Sequence, residues 1–294
     1  MQALAILNQP SADAPAHHPG QPAFALADPA EPHISVLDLG ATRGDGVFET
    51  ISVAYGTPQA LEPHLDRFVR SAAALDLPAP DRGAWREAII AVGEALAELP
   101  EASVKTVYTR GIEGGGRPTG WVYGTAAADF TRDRADGIRV VTLDRGYRHD
   151  VTATSPWLLA DAKTLSYAVN RAVLREAARR GADDVIFISS DGYVLEGPSS
   201  SVLMRHGDTL ITPGTGLAIL EGTTQASIFE FARERGLKTD FTLAPAESLQ
   251  SADALWLVSS TRLAAPVVAL DGTPVPTDSE LTVAMNEFLA ARTA

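Results

Sequence analysis

The spacing of apolar residues along the chain predicts a mixture of strands and helices. Alternating and β-branched residues predict strands at ISVLDLG and GVFETISVA, and again at SVKTVYTRG and GWVYGTAAA. Between these strands, apolar residues three and four positions apart predict helices over Leu61–Leu75 and Trp85–Leu99. The first half of the chain therefore has the pattern of a small α/β domain.

The second half continues the mixture of strands and helices. A strand at WLLADA precedes Lys163, and a helix is predicted over Ser166–Arg180, with Gly181 beyond its basic last turn. The stretch DDVIFISSDGYVLEG predicts a hairpin that turns at Asp191-Gly192. The other predicted elements are a strand at IRVVTL, a helix over Thr224–Arg235, strands over Ala254–Ser259 and Ala265–Leu270, and a helix over Thr277–Ala291.

A length of 294 residues is typical of two domains. We expect a small α/β domain over residues 31–130 and a larger domain over residues 138–294, joined by the polar linker TRDRADG at 131–137. Residues 1–30, which are rich in Ala, Pro and His and lack periodicity, predict a mobile leader. A solvated tail is favoured over a metal site for His17 and His18.

Composition narrows the classes of function. The net charge of −13 disfavours binding to nucleic acid or to acidic lipid, and no stretch is long and apolar enough to predict a membrane helix. The absence of cysteine excludes disulfides, thiolate nucleophiles and Cys-built metal centres, and no metal site is predicted. The opening residues lack a cationic signal region, so a cytoplasmic location is expected.

The chain contains only three lysines, at positions 105, 163 and 238. Lys163 is predicted at a junction between a strand and a helix, where desolvation lowers the pKa of a lysine amine and favours Schiff-base chemistry. The alternative is a lysine whose stem lies along a helix start while its amine reaches water. Lys105 alternates with apolar residues on a predicted strand and is interpreted as a rim charge, whereas Lys238 is predicted to be solvated.

Two further features have both a functional and a structural interpretation. Glu196, at a strand end before Gly-Pro, is either a rigid partner for a ligand cation or a turn acid in water. Thr223 and Thr224, which follow Gly222 at a helix start, either bind an anion or only cap the helix.

Arg67 and Arg70 lie three residues apart on the first predicted helix. One of them is a candidate phosphate ligand; otherwise both pair on the surface with Glu62 or Asp66. Together with Ser260-Thr261, the candidate residues supply a reactive lysine, a carboxylate for a pyridinium nitrogen, and a phosphate site of arginine, hydroxyls and a helix N-terminus. Pyridoxal phosphate requires that set.

The same stretches resemble a known family. SVLDLGATRGDGVFETI, HLDRFVRSA, AKTLSYAVNRAVLREAARRGADDVIFISSDGYVLEGPSSSV and LEGTTQASIFEFA are similar to the class IV, fold type IV pyridoxal-phosphate enzymes, in order from about Ile34 to about Ala265. This family contains 4-amino-4-deoxychorismate lyases, D-amino acid transaminases and branched-chain transaminases. The resemblance implies a small α/β domain and a larger pseudo-barrel domain in a homodimer.

The resemblance also implies roles for individual residues. Lys163 corresponds to the lysine that forms a Schiff base with the cofactor, Glu196 to the partner of the ring nitrogen, and Arg67 to a phosphate ligand. The phosphate turns correspond to Thr223-Thr224 and Ser260-Thr261. Tyr167, four residues after the lysine, corresponds less closely to a residue near the 3′-oxygen of the cofactor.

Departures from the family pattern bear on the substrate, a small amine. Arg117 stands where D-amino acid transaminases have the arginine of a carboxylate-binding Arg-x-His, but the histidine has no counterpart here. The phrases KTLSYAVN and DDVIFISSDGYVLEGP are most similar to the lyase and its relatives. The expected activity is therefore 4-amino-4-deoxychorismate lyase. The alternatives are a D-amino acid or branched-chain transaminase and a non-catalytic binding protein on the same fold.

Overall fold

The computed structural model describes residues 1–9, 21–214 and 216–292. The chain divides into two compact units. The first unit comprises residues 1–128 and 162–167 together with Arg292, and the second comprises residues 129–161 and 168–291. The main elements of both units combine strands and helices, as the sequence predicts.

The first unit contains six strands and three helices in its described residues. They are β1 (Gln2–Leu7), β2 (Phe24–Ala27), α1 (Leu39–Arg43), β3 (Gly46–Ala54), β4 (Thr57–Pro58), α2 (Leu61–Ala74), α3 (Arg82–Glu94), β5 (Glu101–Thr109) and β6 (Thr119–Ala126). The strands form one antiparallel sheet in the order β2-β1-β6-β5-β3-β4. Helices α2 and α3 pack on this sheet through buried residues such as Phe68 and Trp85, whose rings lie 4.7 Å apart.

The prediction of a mobile leader over residues 1–30 is wrong where the structure describes that segment. Strand β1 lies inside the sheet, paired with β2 on one side and β6 on the other, and Ala5 is completely buried. The alternation of this short strand is too brief to stand out beside the Pro- and Ala-rich stretch that follows. His17 and His18 lie outside the described residues.

Residues 34–40 also differ from the prediction. The stretch ISVLDLG is not a strand; Asp38 instead caps α1, with its carboxylate accepting a hydrogen bond from the backbone N–H of Gly40 at 2.8 Å. Asp38 is buried and also accepts a hydrogen bond from the hydroxyl of Thr109 at 3.1 Å. These polar contacts to one aspartate stabilise a helix start that apolar spacing does not reveal.

The second unit contains eight strands and five helices in its described residues, besides two short 3₁₀ turns. They are α4 (Thr131–Asp136), β7 (Ile138–Asp144), α5 (Val151–Thr154), α6 (Ala168–Arg179), β8 (Asp184–Ile188), β9 (Ser201–His206), β10 (Thr209–Pro213), α7 (Thr223–Glu234), β11 (Lys238–Thr242), β12 (Ala254–Ser259), β13 (Leu263–Leu270), β14 (Thr273–Pro274) and α8 (Ser279–Ala290). The sheet order is β11-β10-β9-β12-β13-β7-β8, with β14 beside β13.

This second sheet is mixed. Strand β7 runs parallel to β8 and β13, and β10 runs parallel to β11, whereas β9, β12 and β14 pair in antiparallel fashion. One apolar cluster, which includes Trp256, Phe229 and Met285, packs α7 and α8 against β12 and β13. The helices predicted near 224 and 277 and the strand Ala254–Ser259 agree with the structure to within two residues at their ends.

The predicted boundary between domains needs two corrections. Residues 131–136 of the expected linker form helix α4, because Thr131–Asp136 completes a turn that ends at Gly137. Residues 162–167 and Arg292 belong with the first unit, although the sequence prediction assigned them to the larger domain. A segment that leaves one unit and returns to it gives no signal in local composition.

The described residues contain neither a membrane-spanning helix nor a cluster of metal ligands. No helix there combines the length and apolar character needed to cross a bilayer. No group of three or more His, Cys, Asp or Glu side chains lies close enough to hold a metal ion.

The position of β1 gives a testable prediction. Ala5→Asp places an unpaired carboxylate in the buried centre of the first sheet, so the free energy of unfolding should fall by about 3 kcal/mol. Urea denaturation measures this loss, and Leu26→Asp on β2, where Leu26 is 64% exposed, is the matched control. Equal stability of the two variants would mean that residues 2–7 form a mobile leader and not a buried strand of the sheet.

Candidate active site

Lys163 is held by its main chain along the open edge of β3. The backbone N–H of Phe48 donates to the carbonyl of Lys163 at 3.0 Å, and that of Leu165 donates to the carbonyl of Gly46 at 2.8 Å. Strand β4 covers only the far end of the same edge. The backbone N–H of Lys163 also donates to the hydroxyl of Ser71 on α2 at 3.1 Å. Strand β3 and α2 together therefore fix the position of this lysine.

The local structure around Lys163 differs from the prediction. The stretch WLLADA is not a strand; it contains a 3₁₀ turn over Pro156–Leu158, and α6 begins only at Ala168. Lys163 therefore lies neither at the end of a strand nor at the start of a helix, and the alternative of a helix-start lysine is wrong. The side chain is half-buried, and its Nζ lies 4.6 Å from the centre of the Phe48 ring.

Two other side chains contact the ring of Phe48. The Nζ of Lys105 lies 5.1 Å from the ring centre, and the ring of Tyr167 packs edge-on at 5.4 Å. Although the Lys105 side chain as a whole is exposed, partial burial of its amine lowers its pKa. An aromatic ring attracts cations, and the ring of Phe48 contacts both amines. Tyr167 and Lys163 thus both contact the ring of Phe48, and the place of Tyr167 near the 3′-oxygen of the cofactor stays a prediction.

Arg67 is buried in an ion pair with Glu49. Its Nε and Nη2 donate to the two carboxylate oxygens of Glu49, each at 2.7 Å, and Nδ1 of His64 donates to the same carboxylate at 2.8 Å. Arg67 and His64 lie on α2, whereas Glu49 lies on β3. A two-point contact between a guanidinium and a carboxylate fixes both position and orientation.

The protonation states in this cluster follow from its burial and charges. Burial raises the pKa of Glu49, but the charge and hydrogen bonds of Arg67, aided by His64, hold the net pKa well below its usual range. Burial lowers the pKa of His64, and this effect exceeds the opposing influence of Glu49. The cluster therefore contains a carboxylate, a guanidinium and a neutral imidazole at neutral pH.

The surface alternative for Arg67 is wrong. Glu62 and Asp66 pair instead with Arg82 and Arg86 on α3, at distances of 2.6 to 2.8 Å. Arg67 points inward from the opposite side of α2 and is only 7% exposed. Its role as a phosphate ligand stays a prediction.

In the second unit, Glu196 is held by the hairpin that the sequence predicts. The backbone N–H of Phe187 on β8 donates to the carbonyl of Glu196 at 2.8 Å, and the backbone N–H of Leu220 donates to its carboxylate at 3.1 Å. The turn itself lies at Asp191-Gly192. Because Glu196 is half-buried and bonded on both its main chain and side chain, it is not a turn acid in water.

The start of α7 collects hydroxyl groups. Thr223 and Thr224 are buried in its first turn, and the Thr224 hydroxyl lies 3.5 Å from that of Ser260, beside the half-buried Thr261. The N-cap residue is Gly222, which has no side chain to cap the helix; a Cβ there would clash with the hydroxyl oxygen of Ser201. Capping alone therefore does not account for the two threonines, and helix N–H groups with hydroxyls suit an anion.

Arg117 lies on the loop between β5 and β6. Its side chain is exposed, and its Nε donates to the carbonyl of Gln9 at 2.8 Å. This contact orients the guanidinium without burying it. Binding of a substrate carboxylate by Arg117 stays a prediction.

Glu49, His64 and Ser71 were not among the predicted site residues. The strand GVFETISVA carries a signal for the first of these, because alternation places Glu49 on the buried face with Val47 and Ile51. A buried carboxylate requires a cation or hydrogen-bond donors. The partners on α2 become visible only in three dimensions.

Comparisons with known proteins identify the family and the fold of this chain. The sequence model of the class IV amino-transferase family matches residues 46–270. A curated relative from Mycobacterium tuberculosis, named a bifunctional aminodeoxychorismate lyase / D-amino acid transaminase, is 46% identical over 85% of this chain and 90% of its own. A solved fold IV-transaminase from Curtobacterium pusillum is 54% identical, with a TM-score of 0.94 over 99% of this chain and 97% of its own. A hypothetical aminotransferase from M. tuberculosis, solved in its PLP-bound form, is 40% identical, with a TM-score of 0.89 over 99% of each chain.

The chain belongs to the class IV aminotransferase family of pyridoxal-phosphate-dependent enzymes. This confirms the predicted family, the fold class and the cofactor, and it excludes the alternative of a non-catalytic binding protein. The described residues fit the cofactor in kind: a lysine amine fixed by its main chain in the first unit, and a carboxylate and a hydroxyl-lined helix start in the second.

The buried Glu49–Arg67 pair gives a prediction about stability and pH. Glu49→Gln leaves a buried guanidinium without its counter-charge, so the free energy of unfolding at pH 7 should fall by about 3 kcal/mol. Because the pKa of Glu49 is lowered by folding, its contribution is present above its usual value near 4.5 and is lost as the pH falls further. The difference between wild type and variant should therefore shrink below pH 4.5.

Urea denaturation at pH 7, 5, 4 and 3 measures this difference. Glu62→Gln is the matched control, since its side chain is 42% exposed and pairs only on the surface. A pH-independent difference between wild type and Glu49→Gln would contradict an ionised Glu49.

Proposed function

We propose that the protein is a 4-amino-4-deoxychorismate lyase that also transaminates D-amino acids. The observation that supports this most is the pair of amines on one aromatic ring: Lys163, fixed by its main chain for reaction, and Lys105, a second cation 5.1 Å from the ring of Phe48. A second cation that contacts the same ring as the reacting amine suits substrates that carry a carboxylate. The bifunctional name of the relative from M. tuberculosis supports the same pair of reactions.

Individual residues are proposed to hold the cofactor. Lys163 binds it covalently, and Glu196 keeps its ring nitrogen protonated. The phosphate is held by Arg67 and by the hydroxyl and N–H groups of Thr223, Thr224, Ser260 and Thr261. Tyr167 lies near the 3′-oxygen. When bound, pyridoxal phosphate supplies an electron sink for the carbon that carries the substrate nitrogen.

In the lyase reaction, the amine of Lys163 is freed when the substrate amine binds, and it then acts as general base at the carbon bearing nitrogen. The C–O bond to the enolpyruvyl group breaks, its electron pair leaves with the oxygen, and the enolate takes up a proton to become pyruvate. The ring, which has lost a proton and this group, becomes aromatic as 4-aminobenzoate. Lys105 and Arg117 are the proposed ligands of substrate carboxylates. No second substrate is needed.

Transamination starts with the same proton removal by Lys163 and differs in where the proton is returned. The amino group then passes to a keto acid. This second activity is favoured by the 54% identity to a solved fold IV-transaminase over nearly the whole of both chains. A D-amino acid is preferred over a branched-chain one as donor, because Arg117 has its counterpart in D-amino acid transaminases.

We further propose that the protein is a homodimer in the cytoplasm and acts in folate biosynthesis. The homodimer and the location come from family resemblance and composition, and the pathway follows from 4-aminobenzoate as the product. Light scattering of the active protein tests the dimer, and a fully active monomer would contradict it.

Lys163→Ala removes the amine of the residue that β3 and the hydroxyl of Ser71 hold by its main chain. We expect loss of the visible absorbance of bound cofactor, of borohydride trapping, and of both activities to the uncatalysed rate. Single-turnover spectra with aminodeoxychorismate and with a D-amino acid, combined with assays for pyruvate and for keto acid, measure these effects.

Three outcomes separate the proposed activities. Pyruvate release without a keto acid supports the lyase, and conversion of bound cofactor to its amine form by a D-amino acid supports the transaminase. Pyruvate appearing no faster with wild type than with Lys163→Ala would overturn the lyase.

Lys105→Met tests the second cation. The loss of a charge-assisted contact to a carboxylate is worth about 1.5–3 kcal/mol, so KM for aminodeoxychorismate should rise by roughly ten- to a hundredfold while bound-cofactor absorbance stays. Lys238→Met is the matched control, because Lys238 is 72% exposed and pairs with Asp208. An unchanged KM would leave Lys105 as a rim charge only.

A further inference from the structure

Arg262 is a buried cation in the second unit that directly follows the hydroxyl turn Ser260-Thr261. It is 9% exposed, and its Nη2 lies 2.7 Å from the carboxylate of Asp184, which is itself 2% exposed. The carboxylate of Asp184 also accepts a hydrogen bond from the backbone N–H of Val185 at 2.8 Å. The ion pair thus connects the turn, which precedes β13, to the start of β8. Strand β7 lies between β13 and β8 in the sheet.

A second acid lies near the same guanidinium. Asp133 on α4 is 4.0 Å from Nη1 of Arg262. Helix α4 is the first helix of the second unit and contacts β13. Arg262 therefore lies between two elements that are distant from it in sequence.

The ion pair is poorly suited to a purely stabilising role. The Nε of Arg262 is buried and makes no hydrogen bond in the described part of the chain, and its contact with Asp184 lacks hydrogen-bond alignment. Apolar groups of similar volume often replace a buried ion pair without loss of stability. What the pair does provide is a fixed location for residue 262.

The main chain of Arg262 is part of the turn that carries the hydroxyls. The backbone N–H of Arg262 donates to the hydroxyl of Ser259 at 3.4 Å, which closes the turn, and the next residue, Leu263, has a φ of +64°. The Ser260 hydroxyl then lies 3.5 Å from that of Thr224 at the start of α7. A left-handed leucine persists only where its surroundings hold it.

We propose that Arg262 is a positioning residue for the cofactor phosphate: its ion pair with Asp184 fixes the Ser260-Thr261 turn against the N-terminus of α7. This inference rests on the proposed cofactor site. Arg262 itself does not contact the phosphate; it acts through the turn, and it affects the binding only of ligands that carry a phosphate.

The test uses the double variant Arg262→Met/Asp184→Asn in the full chain. Removing both charges avoids a buried uncompensated ion, so the variant should fold. Absorbance titration of the cofactor-free protein should give a Kd for pyridoxal phosphate about tenfold higher than wild type, the effect of one misplaced charge-assisted hydrogen bond. The Kd for pyridoxal, which lacks the phosphate, should stay the same.

The matched control is Arg139→Met/Asp183→Asn, which removes a neighbouring exposed ion pair with Nη2 2.9 Å from the carboxylate. It should bind both ligands as wild type does. Arg262→Lys keeps a charge near Asp184 and should recover part of the affinity for pyridoxal phosphate. Thermal unfolding of each cofactor-free variant verifies that it is folded.

Each outcome decides the proposal. An equal loss of affinity for both ligands would mean a structural role only, and an unchanged Kd for pyridoxal phosphate would overturn the inference. If wild type itself binds pyridoxal phosphate no more tightly than Lys163→Ala does, the proposed cofactor site fails, whatever Arg262 does.

Discussion

The buried ion pair between Glu49 and Arg67 is the interaction on which the first unit's part of the site depends. It joins β3, whose open edge carries Lys163, to α2, whose Ser71 holds the backbone of the same lysine. A buried carboxylate and guanidinium are costly to desolvate, and only a contact that satisfies both groups offsets that cost. The strand and the helix therefore have little freedom to shift relative to each other. The main chain of Lys163, which both elements hold, is fixed as a result.

The sequence predicts the long, periodic elements well and the short or interrupted ones poorly. Helices α2, α7 and α8 have apolar faces long enough to be recognised, and the structure places them within two residues of the prediction. Strand β1 and helix α4 have six residues each, and their positions depend on neighbours distant in sequence. The return of residues 162–167 to the first unit has the same origin: strand β3 offers an open edge there, which local pattern cannot indicate.

In the candidate site, too, the sequence identifies some residues and only the structure identifies others. Residue type alone limits the candidates for Schiff-base chemistry to three lysines, and the resemblance to the family selects Lys163 among them. The resemblance to the family also assigns candidate roles to Glu196, Thr223 and Thr224. Neither approach identifies Lys105, because its relation to Lys163 exists only through the ring of Phe48. Partners of a catalytic residue that lie on neighbouring strands leave no mark in sequence spacing.

The preference for arginine over lysine has a chemical consequence for this enzyme. A guanidinium remains protonated at any physiological pH, so arginines can supply positive charge near an anionic cofactor without competing as nucleophiles. The chain has 24 basic residues, of which three are lysines, and Lys238 is paired on the surface. Of the two remaining amines, Lys105 projects from β5 in the middle of a sheet, whereas Lys163 lies on an irregular segment that a strand edge and a helix hydroxyl hold. Bond formation with a carbonyl needs both a reactive amine and a fixed approach, and in the first unit the observed main-chain anchoring supplies that approach to Lys163.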